Sequence, residues 1–547
     1  GRALHPISVN LAARLQRDFG GTLDIAFSAG ADAFNVTETL ACGLRPITVC
    51  SDLLKPGGYG RLHQYVETLR RDFRKTGADS LSALARSRAP EEADPALANL
   101  TRYAASVLGA DSPYRKDRFP YASVKTERPL PRFDCAAAPC VSACPAGQDV
   151  PRYLDAVARG DFALAWKIIT ATNPFPNVQG MACNQRCRER CTRINYDSPL
   201  LIRDIKRTVA QYVALSMADG PVSVPAPATG RRAAVIGAGP AGLSCARFLA
   251  LGGVEVHLYE GKDVLGGMAG DAIPTFRLPD ESLRRDVDAI LALGVILHRH
   301  TPVDADLFQH LLKENDAVYV AVGAQESLRL GIPGEEAEGV LDHLSFLSAL
   351  RRGLPTGLGS RVAVIGGGNA AMDCARAAKR LAGPHGEVTL VYRRSRREMP
   401  ADREEIEAAL QEGVRLAECL APEEALARDG HVCGLRCRRM KLIPDPNGGR
   451  ARPMPTDEET VINADTLIVS VGQRVRADFL PEDIVLKGKA GTCKTSSERI
   501  FAGGDALRGP STLIDAVADG RRGAEAILEA LGLASRVSDA PADDRRS

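Results

Sequence analysis

One strand–glycine–helix stretch occurs twice in the second half of this chain. Residues 231–250, RRAAVIGAGPAGLSCARFLA, align without a gap with residues 360–380, SRVAVIGGGNAAMDCARAAKR. Each copy consists of an apolar strand, a cluster of glycines and a helix that carries Cys-Ala-Arg at the same offset. A strand, a glycine turn and a helix in this order form the nucleotide-binding half of a doubly wound α/β sheet. Two copies therefore predict two dinucleotide-binding units.

The first copy matches the pattern G-x-G-x-x-G in the context that the pattern requires. The first glycine forms the turn, the second lets the backbone approach a pyrophosphate, and the third allows the helix to pack closely on the strand. The next strand, VEVHLYE, ends in Glu260, where a carboxylate can accept a hydrogen bond from an adenosine ribose. The pattern predicts a bound dinucleotide, the alternative being a purely structural turn. The predicted contacts of the loop are Gly237, Gly239, Pro240, Ala241 and Gly242.

The second copy differs in ways that favour another nucleotide. Its loop has Ala371 at the third glycine position, which the pattern permits. Its next strand, EVTLVYRRSRR, ends in Arg393 and Arg394 instead of an acid. Guanidinium groups suit a ribose 2′-phosphate, so NADPH is predicted over NADH, the alternative being an exposed basic strand end. The predicted contacts of the loop itself are Gly366, Gly368, Asn369 and Ala370.

A third glycine motif, in ERIFAGGDALRGPSTLIDAVADGRRGAEAI (498–527), indicates a flavin. An apolar strand leads to Gly504 and Asp505, and a helix follows. Asp505 is placed to accept a hydrogen bond from a ribityl hydroxyl, and the backbone at Thr512 and Leu513 to lie against the flavin ring. Two sites with different ribose chemistry are what a flavin enzyme reduced by nicotinamide requires, so we predict FAD in the first unit and NAD(P)H in the second. The alternative is a plain turn.

Composition argues against several other classes of function. The 547 residues carry a formal net charge of +2, which gives no sign of binding to nucleic acid or an anionic membrane. No apolar run approaches the roughly 20 residues of a membrane helix, and no export signal is seen, although the first residue is Gly1 rather than Met. We therefore expect a cytoplasmic, reducing location. There, clustered cysteines among the 14 present bind metal more often than they form disulfides.

Several segments carry a specific resemblance to known enzymes. They are, in chain order within residues 125–535, GAGPAGLSCA, LGGMAGDAIPTFRLP, AVYVAVGA, GGGNAAMDCAR, VYRRSRREMPA and IFAGGD. The chain resembles the glutamate synthase small-subunit family and is similar to the flavin-and-nicotinamide half of dihydropyrimidine dehydrogenase. The resemblance implies FAD in the first unit, NAD(P)H in an inserted second unit and hydride transfer between them. It also implies that Gly267 and Arg277, in the second segment, contact the cofactor.

Six clustered cysteines precede the first glycine loop, in DCAAAPCVSACP and GMACNQRCRERC. The families just named carry two 4Fe–4S clusters in a helical module of this kind, and Cys-Pro after the last cysteine recurs in ferredoxins. Zinc, which prefers cysteine pairs, and disulfides are the alternatives. The dehydrogenase pattern implies that Cys135, Cys140 and Cys191 hold one cluster, and that Cys144, Cys183 and Cys187 hold the other.

Each cluster lacks the fourth ligand of the family pattern. Arg132 stands where the first cluster has a cysteine, and Lys206 where the second has its non-cysteine ligand. A single cluster, or a three-iron form, is therefore an alternative to two clusters. The candidates for substitute ligands are Asp134, Asp204, Cys42 and Cys50.

The N-terminal residues 28–62 resemble the end of a barrel-like domain that precedes the flavin unit in selenate reductase-type iron–sulfur subunits. The predicted fold is therefore α/β, with two Rossmann-like dinucleotide-binding domains preceded by a helical iron–sulfur module and a partial βα domain. The predicted boundaries are 1–115 for the partial barrel-like domain, 116–220 for the 4Fe–4S domain, 221–345 and 461–535 for the two parts of the FAD domain, 346–460 for the NAD(P)H domain and 536–547 for a disordered tail.

Together these features predict an NAD(P)H-dependent flavin oxidoreductase that passes electrons through FAD to 4Fe–4S clusters. We find no motif for a catalytic side chain, so the chemistry is left to the cofactors. The expected acceptor is a partner subunit in a hetero-oligomer, or a small molecule. The alternatives are a glutamate synthase small subunit that supplies a large amidotransferase subunit, and a scaffold or sensor that carries a flavin and clusters without activity.

Overall fold

The computed structural model describes residues 4–28, 30–50, 52–53, 58–110, 112, 114, 138–195, 197–216, 224–445, 449–484, 486 and 492–533. The chain divides into two compact units. The first comprises Gly1–Pro151 with Gln185–Ile202, and the second comprises Arg152–Asn184 with Arg203–Ser547. The predictions made for Arg132, Asp134, Cys135 and the tail 536–547 concern residues outside the described part of the chain.

Helices and strands are numbered in chain order. The helices are α1 (Leu4–Asp18), α2 (Val36–Ala41), α3 (Arg61–Thr76), α4 (Leu81–Arg88), α5 (Pro95–Ser106), α6 (Pro139–Ala143), α7 (Val150–Ala158), α8 (Phe162–Thr170), α9 (Pro176–Ala182), α10 (Arg186–Glu189), α11 (Ile202–Ser216), α12 (Pro240–Leu251), α13 (Met268–Asp271), α14 (Asp280–Leu291), α15 (Ala305–Glu314), α16 (His343–Arg351), α17 (Asn369–Ala382), α18 (Arg403–Gln411), α19 (Asp505–Arg508) and α20 (Leu513–Ala530). The strands are β1 (Arg232–Ile236), β2 (Glu255–Tyr259), β3 (Ile296–His298), β4 (Ala317–Val320), β5 (Glu326–Ser327), β6 (Val340–Asp342), β7 (Arg361–Ile365), β8 (Glu387–Tyr392), β9 (Arg415–Glu418), β10 (Leu420–Arg428), β11 (His431–Ile443), β12 (Arg452–Asn463), β13 (Thr466–Val469), β14 (Gln473–Arg474) and β15 (Ile500–Ala502).

The first unit is helical where it is described. Helix α1 packs on α5 over a small apolar core that contains Val9, Leu44 and Leu100. The two stretches that we expected to be strands, LDIAF and RPITV, meet in a single parallel bridge between Phe27 and Ile47. Within the described residues, the predicted βα structure of this region is therefore limited to this single bridge and the neighbouring helices.

The second unit contains the first of two doubly wound sheets. Its strands are all parallel and lie in the order β15-β4-β1-β2-β3. Strand β1 is buried along almost its whole length, as its run of Ala, Val and Ile predicts for a sheet covered on both faces. Helices α12 and α20 pack together on one face, and Cys245 of α12 is fully buried in the core there.

The second sheet repeats this plan in the order β6-β13-β7-β8-β9, again with parallel strands. Helix α17 covers it, with Cys374 fully buried at the position equivalent to Cys245. Strands β6 and β13 lie outside the predicted range 346–460, so the sheet extends beyond that range on both sides. An antiparallel sheet, β10-β11-β12, is inserted between β9 and β13.

Strands β5 and β14 form a short antiparallel ribbon at the two points where the chain passes between the sheets. Gln473 pairs with Ser327, and Arg474 pairs with Glu326. The second sheet is thus an insertion in the first, connected through this ribbon. The predicted α/β class with two Rossmann-like units is confirmed. In the part of the chain that the structure describes, no helix has the length and apolarity to span a membrane.

Helix α9 is fixed to the first sheet's helical layer by a buried carboxylate. Asp286 on α14 accepts hydrogen bonds from the backbone N–H groups of Asn177 (3.3 Å) and Val178 (2.9 Å) and from the Asn177 side chain (2.7 Å). These two N–H groups belong to the first turn of α9, where they have no partner within the helix. Asp286 therefore positions α9, which ends immediately before Cys183.

Candidate functional site

Both glycine loops open into one cavity of about 1150 Å³ in the second unit. Most of the predicted contacts line it, although they are far apart in sequence. Gly242 and Gly504 are the two that do not. The predicted residues that line it are Gly237, Gly239, Pro240, Ala241, Glu260, Gly267, Arg277, Gly366, Gly368, Asn369, Ala370, Arg393, Arg394, Asp505, Thr512 and Leu513.

The three glycines of the first loop have different surroundings. Gly237 has a φ of 101°, and a Cβ there would lie 2.5 Å from the carbonyl oxygen of Ala321. A Cβ on Gly242 would overlap the carbonyl oxygen of Gly237. Gly239, the N-cap of α12, instead has extended backbone, and a Cβ there would meet only the Gly267 Cα, at 3.7 Å. The first and third glycines are therefore required for packing, whereas the space at Gly239 faces the cavity.

Glu260 is held rigidly at the end of β2. Its carboxylate accepts a hydrogen bond from the Ala238 N–H at 2.9 Å and another from the Lys262 N–H at 2.9 Å. The first of these bonds ties Glu260 to the glycine loop itself. The acidic group and the loop are consequently positioned as one piece at the carboxyl edge of the sheet, where doubly wound folds bind ligands.

The second loop has the same division of roles. A Cβ on Gly366 would overlap the Ser470 carbonyl oxygen, whereas a Cβ on Gly368 would meet nothing within 4 Å. The Asn369 side chain accepts a hydrogen bond from the Asp402 N–H at 2.8 Å, which joins the loop to the start of α18. The open space at Gly368, the N-cap of α17, faces the cavity as the space at Gly239 does.

The two arginines after β8 differ in how far the protein itself engages their guanidinium groups. Arg394 donates from Nε to the carbonyl of Ala451 at 3.0 Å, so its guanidinium is partly engaged by the protein. Arg393 is exposed at the cavity wall. Arg450, on the connection to β12, lines the same cavity. No sequence pattern indicated Arg450, because the antiparallel insertion brings it from a segment distant from the glycine loop.

The third glycine motif is stabilised by buried acids. Asp505 accepts hydrogen bonds from the Ser511 N–H (3.0 Å) and hydroxyl (2.9 Å), and burial raises the pKa of its carboxyl. Asp519 on α20 accepts from the Gly504 N–H (3.2 Å) and from Arg508 (2.6 Å). Sequence reasoning missed Asp519, since a lone acid in a helix gives no motif. It holds the loop that presents Asp505.

Three cysteines of the first unit, Cys140, Cys144 and Cys191, lie close to one another. Burial and, to a smaller extent, the neighbouring Cys191 and Cys144 together raise the pKa of the Cys140 thiol to about 11. Helix α6, with Cys140, packs on α10, with Cys187. A buried thiol such as that of Cys140 needs a positive partner to bind as a thiolate, and the iron of a cluster supplies one. The chemistry of these thiols therefore suits an iron–sulfur cluster.

Other proposed ligands are placed differently. Cys183 belongs to the second unit, where it lines the cavity and its carbonyl accepts a hydrogen bond from Arg203 at 3.2 Å. Among the described residues, no three His, Cys, Asp or Glu side chains surround a single metal position. Asp204 pairs with Arg207 at 2.9 Å, Lys206 is buried, Cys42 is in the apolar core of the first unit, and Cys50 is exposed.

Comparison with known proteins decides what these units are. The family model described as pyridine nucleotide-disulphide oxidoreductase matches residues 231–520. The chain belongs to this family. The model of dihydropyrimidine dehydrogenase domain II, with its 4Fe–4S cluster, matches residues 121–217, and that of the oxidoreductase YgfK N-terminal TIM-barrel domain matches residues 1–96. The predicted oxidoreductase activity, with FAD, NADP(H) and 4Fe–4S as cofactors, is confirmed at the level of the family.

Individual relatives of this oxidoreductase are also named as oxidoreductases or as subunits of such enzymes. The putative oxidoreductase YgfK of Escherichia coli O157:H7 is 37% identical over 98% of this chain and 51% of that protein. The NADP(+)-dependent formate dehydrogenase subunit beta of Moorella thermoacetica is 38% identical over 71% of this chain and 59% of that protein. The glutamate synthase [NADPH] small chain of Escherichia coli K12 is 32% identical over 72% and 89%. The chain spans about half the length of the YgfK relatives.

A buried histidine between the two sheets was also missed from the sequence. His343 at the start of α16 donates from Nδ1 to the Val469 carbonyl at 3.1 Å, so its Nε2 accepts from the Gln473 amide at 3.0 Å. Burial lowers the pKa of this imidazole, which keeps it neutral. His343 thus joins β13, α16 and the ribbon strand β14 at the cavity of this oxidoreductase.

Proposed function

We propose that this chain is an electron-input module that oxidises NADPH and delivers the electrons, through FAD and iron–sulfur clusters, to an acceptor. The observation that carries the proposal is that the two dinucleotide loops line a single cavity, with the motif of Asp505 on its wall. When bound, FAD accepts a hydride and can release its two electrons singly, which matches a two-electron donor to one-electron clusters.

The protein's own residues position the two nucleotides. The N–H groups at the start of α12 and α17, left open by Gly239 and Gly368, would bind the two pyrophosphates. Glu260 would accept a hydrogen bond from the adenosine ribose of FAD, and Asp505 one from its ribityl chain. Arg393, Arg394 and Arg450 would bind the 2′-phosphate of NADPH. The buried neutral His343 orients the Gln473 amide at the junction of the two dinucleotide-binding domains.

The acceptor is proposed to lie in a partner subunit. Relatives are named as a formate dehydrogenase subunit beta, an NADPH-Fe(3+) oxidoreductase subunit beta and a glutamate synthase small chain, all of which are parts of larger assemblies. No acceptor site is apparent in the described residues of this chain. A reducing, cytoplasmic location would keep the cluster cysteines available as thiolates.

An anaerobic titration tests the proposal. We expect NADPH to bleach the flavin absorbance of the purified protein and to produce reduced-cluster signals in low-temperature EPR, whose spin count distinguishes one cluster from two. Bleaching without cluster signals, when dithionite does produce them, would contradict transfer from flavin to clusters. Absence of bleaching by either nicotinamide nucleotide would contradict the function as a whole.

Replacing Arg393 by alanine should raise the KM for NADPH and leave the KM for NADH unchanged. A charge-assisted hydrogen bond to phosphate contributes about 1.5–3 kcal/mol, and the exposure of Arg393 places the effect at the low end, so we expect about a 10-fold change. The measurement is the rate of flavin reduction against the concentration of each nucleotide. Arg397→Ala, on the following exposed turn, is the matched control. An equal loss with NADPH and NADH would exclude a phosphate contact.

A further inference from the structure

A segment of the first dinucleotide-binding unit is built into the apolar core of the second. The segment runs from Met268 to Leu278 and follows directly after Gly267 at the cavity. Its Ala272 belongs to the core that contains Val364 and Met372 of the second dinucleotide-binding unit. Met268 and Phe276 pack against that same core. We call residues 268–278 the clasp. Three of its apolar side chains, Met268, Ala272 and Phe276, therefore pack against the domain on the other side of the cavity. The others, Ala269, Ile273 and Leu278, pack in the core of their own domain.

A buried charge pair fastens the clasp to α17. Arg277 donates from Nη1 to both carboxylate oxygens of Asp373 at 2.7 Å, and its Nε lies 3.0 Å from Glu405 on α18. The Arg277 and Asp373 side chains are only 13% and 6% exposed. An ion pair screened from water in this way depends strongly on geometry, because an uncompensated charge left at either position is costly.

The clasp's aromatic residue extends the same contact. Arg376 and Arg380 of α17 lie over the Phe276 ring, at 4.9 Å and 4.0 Å from its centre. Arg376 also pairs with Glu405, the carboxylate that Arg277 contacts, at 2.5 Å. The guanidinium groups of the two domains therefore share one acid, and the ring is held between the arginines and the core.

Helix α16 holds the clasp from a second direction. Ser348 donates to Asp271 at 2.8 Å, and Arg352 donates to the same carboxylate at 3.0 Å. Arg351 donates to the backbone carbonyls of Ile273 and Leu278 (3.2 Å for Leu278). These contacts hold the clasp at the Asp271 side chain and at the backbone of Ile273 and Leu278.

We propose that the clasp locks the two dinucleotide-binding units in the one relative orientation that hydride transfer requires, and that Arg277 is its positioning residue. The ribbon of β5 and β14 is only two residues long on each side, and such a connection by itself permits hinge rotation. Hydride transfer would require the donor and acceptor atoms of the two bound cofactors to lie about 3–3.5 Å apart, so rotation between the two dinucleotide-binding units would uncouple them. The proposal rests on the function proposed above.

The test separates nucleotide binding from transfer. In Arg277→Gln we expect the limiting rate of flavin reduction at saturating NADPH to fall about 10- to 100-fold, the effect of a misplacement near 1 Å. FAD content and the affinity for NADP⁺ should change less than about twofold, since the loops are untouched. The long-wavelength charge-transfer absorbance that NADP⁺ produces with chemically reduced flavin should weaken in parallel, because it requires the two rings to stack.

Arg284→Gln is the matched control, since Arg284 lies on the adjacent α14 with exposed ion pairs to Glu281 and Asp288. Arg277→Lys, which keeps the charge but not the two-oxygen contact, should fall between wild type and Arg277→Gln. If Arg277→Gln does not fold, Phe276→Leu, which keeps every charge, replaces it with the same expected losses.

Two results would overturn the proposal: an unchanged limiting rate or an unchanged charge-transfer band. An unchanged limiting rate with a raised KM for NADPH would make Arg277 a nucleotide contact instead. A wild-type protein whose flavin NADPH does not reduce would contradict the proposed function instead. The clasp would then be judged by the charge-transfer band alone.

Discussion

Gly239→Ala is expected to yield a folded protein that binds FAD about 10- to 100-fold more weakly. The backbone at Gly239 has φ −79° and ψ −179°, which alanine adopts readily, and a Cβ has room there, with only the Gly267 Cα at 3.7 Å. That room is where the FAD pyrophosphate approaches the start of α12 in our proposal. A methyl group there would displace the pyrophosphate and break one charge-assisted hydrogen bond. That loss costs about 1.5–3 kcal/mol, or about 10- to 100-fold in affinity. The measurements are the flavin content of the protein as purified and the affinity of the flavin-free protein for FAD.

Two neighbouring substitutions make this result specific. Gly242→Ala should prevent folding of the first dinucleotide-binding domain, because its Cβ would overlap the Gly237 carbonyl whether or not FAD is present. Gly368→Ala should retain FAD and lose affinity for NADPH by a similar factor, since the second loop has the same open position. Normal FAD affinity in Gly239→Ala would show that the pyrophosphate does not approach this glycine.

Cys140→Ser is expected to remove one cluster while NADPH still reduces the flavin. Cys140 is buried, and its thiol pKa is raised to about 11 by burial and by the neighbouring Cys191 and Cys144, so it binds as a thiolate only with a positive partner. Serine cannot replace this thiolate as a soft ligand. We expect the iron content and the EPR spin count to fall by one cluster, and reduction of one-electron acceptors by NADPH to be lost.

Cys433→Ser is the matched control, because Cys433 is exposed on β11 in the antiparallel insertion. It should leave iron content, EPR signals and flavin reduction unchanged. Full iron content and an unaltered spin count in Cys140→Ser would show that Cys140 is not a ligand. Loss of flavin reduction together with the cluster would contradict the assignment of flavin reduction to the dinucleotide-binding domains alone.

The nucleotide loops were predictable because their geometry is local. A strand, a glycine turn and a helix impose the direction of the helix N-terminus within about a dozen residues, so the positions of Gly239 and Gly368 at the starts of their helices follow from the local pattern. The same holds for Asp505, which follows β15 directly. Cys245 and Cys374 were predictable as core residues from their matching offsets, and both are fully buried.

Residues that act across long separations were not predictable. In the sequence, Arg277 belongs to a motif of the FAD-binding domain. Its partners Asp373 and Glu405, however, lie on helices of the second dinucleotide-binding domain. Asp519 holds Gly504 from α20, and Arg450 reaches the cavity from the antiparallel insertion. Each contact depends on how elements pack, and a lone acid or arginine gives no pattern that reveals its partner.

What the sequence by itself determined is the set of local units: two strand–glycine–helix loops, the Gly-Gly-Asp motif and the cysteine groups, because steric limits on glycine turns and the chemistry of thiolates act within a few residues. What only the tertiary structure decided is how the units combine. Strands β6 and β13 complete the second sheet from outside its expected range, and the clasp inserts into the neighbouring core. Both depend on burying apolar surface between segments distant in the chain, which no local pattern specifies.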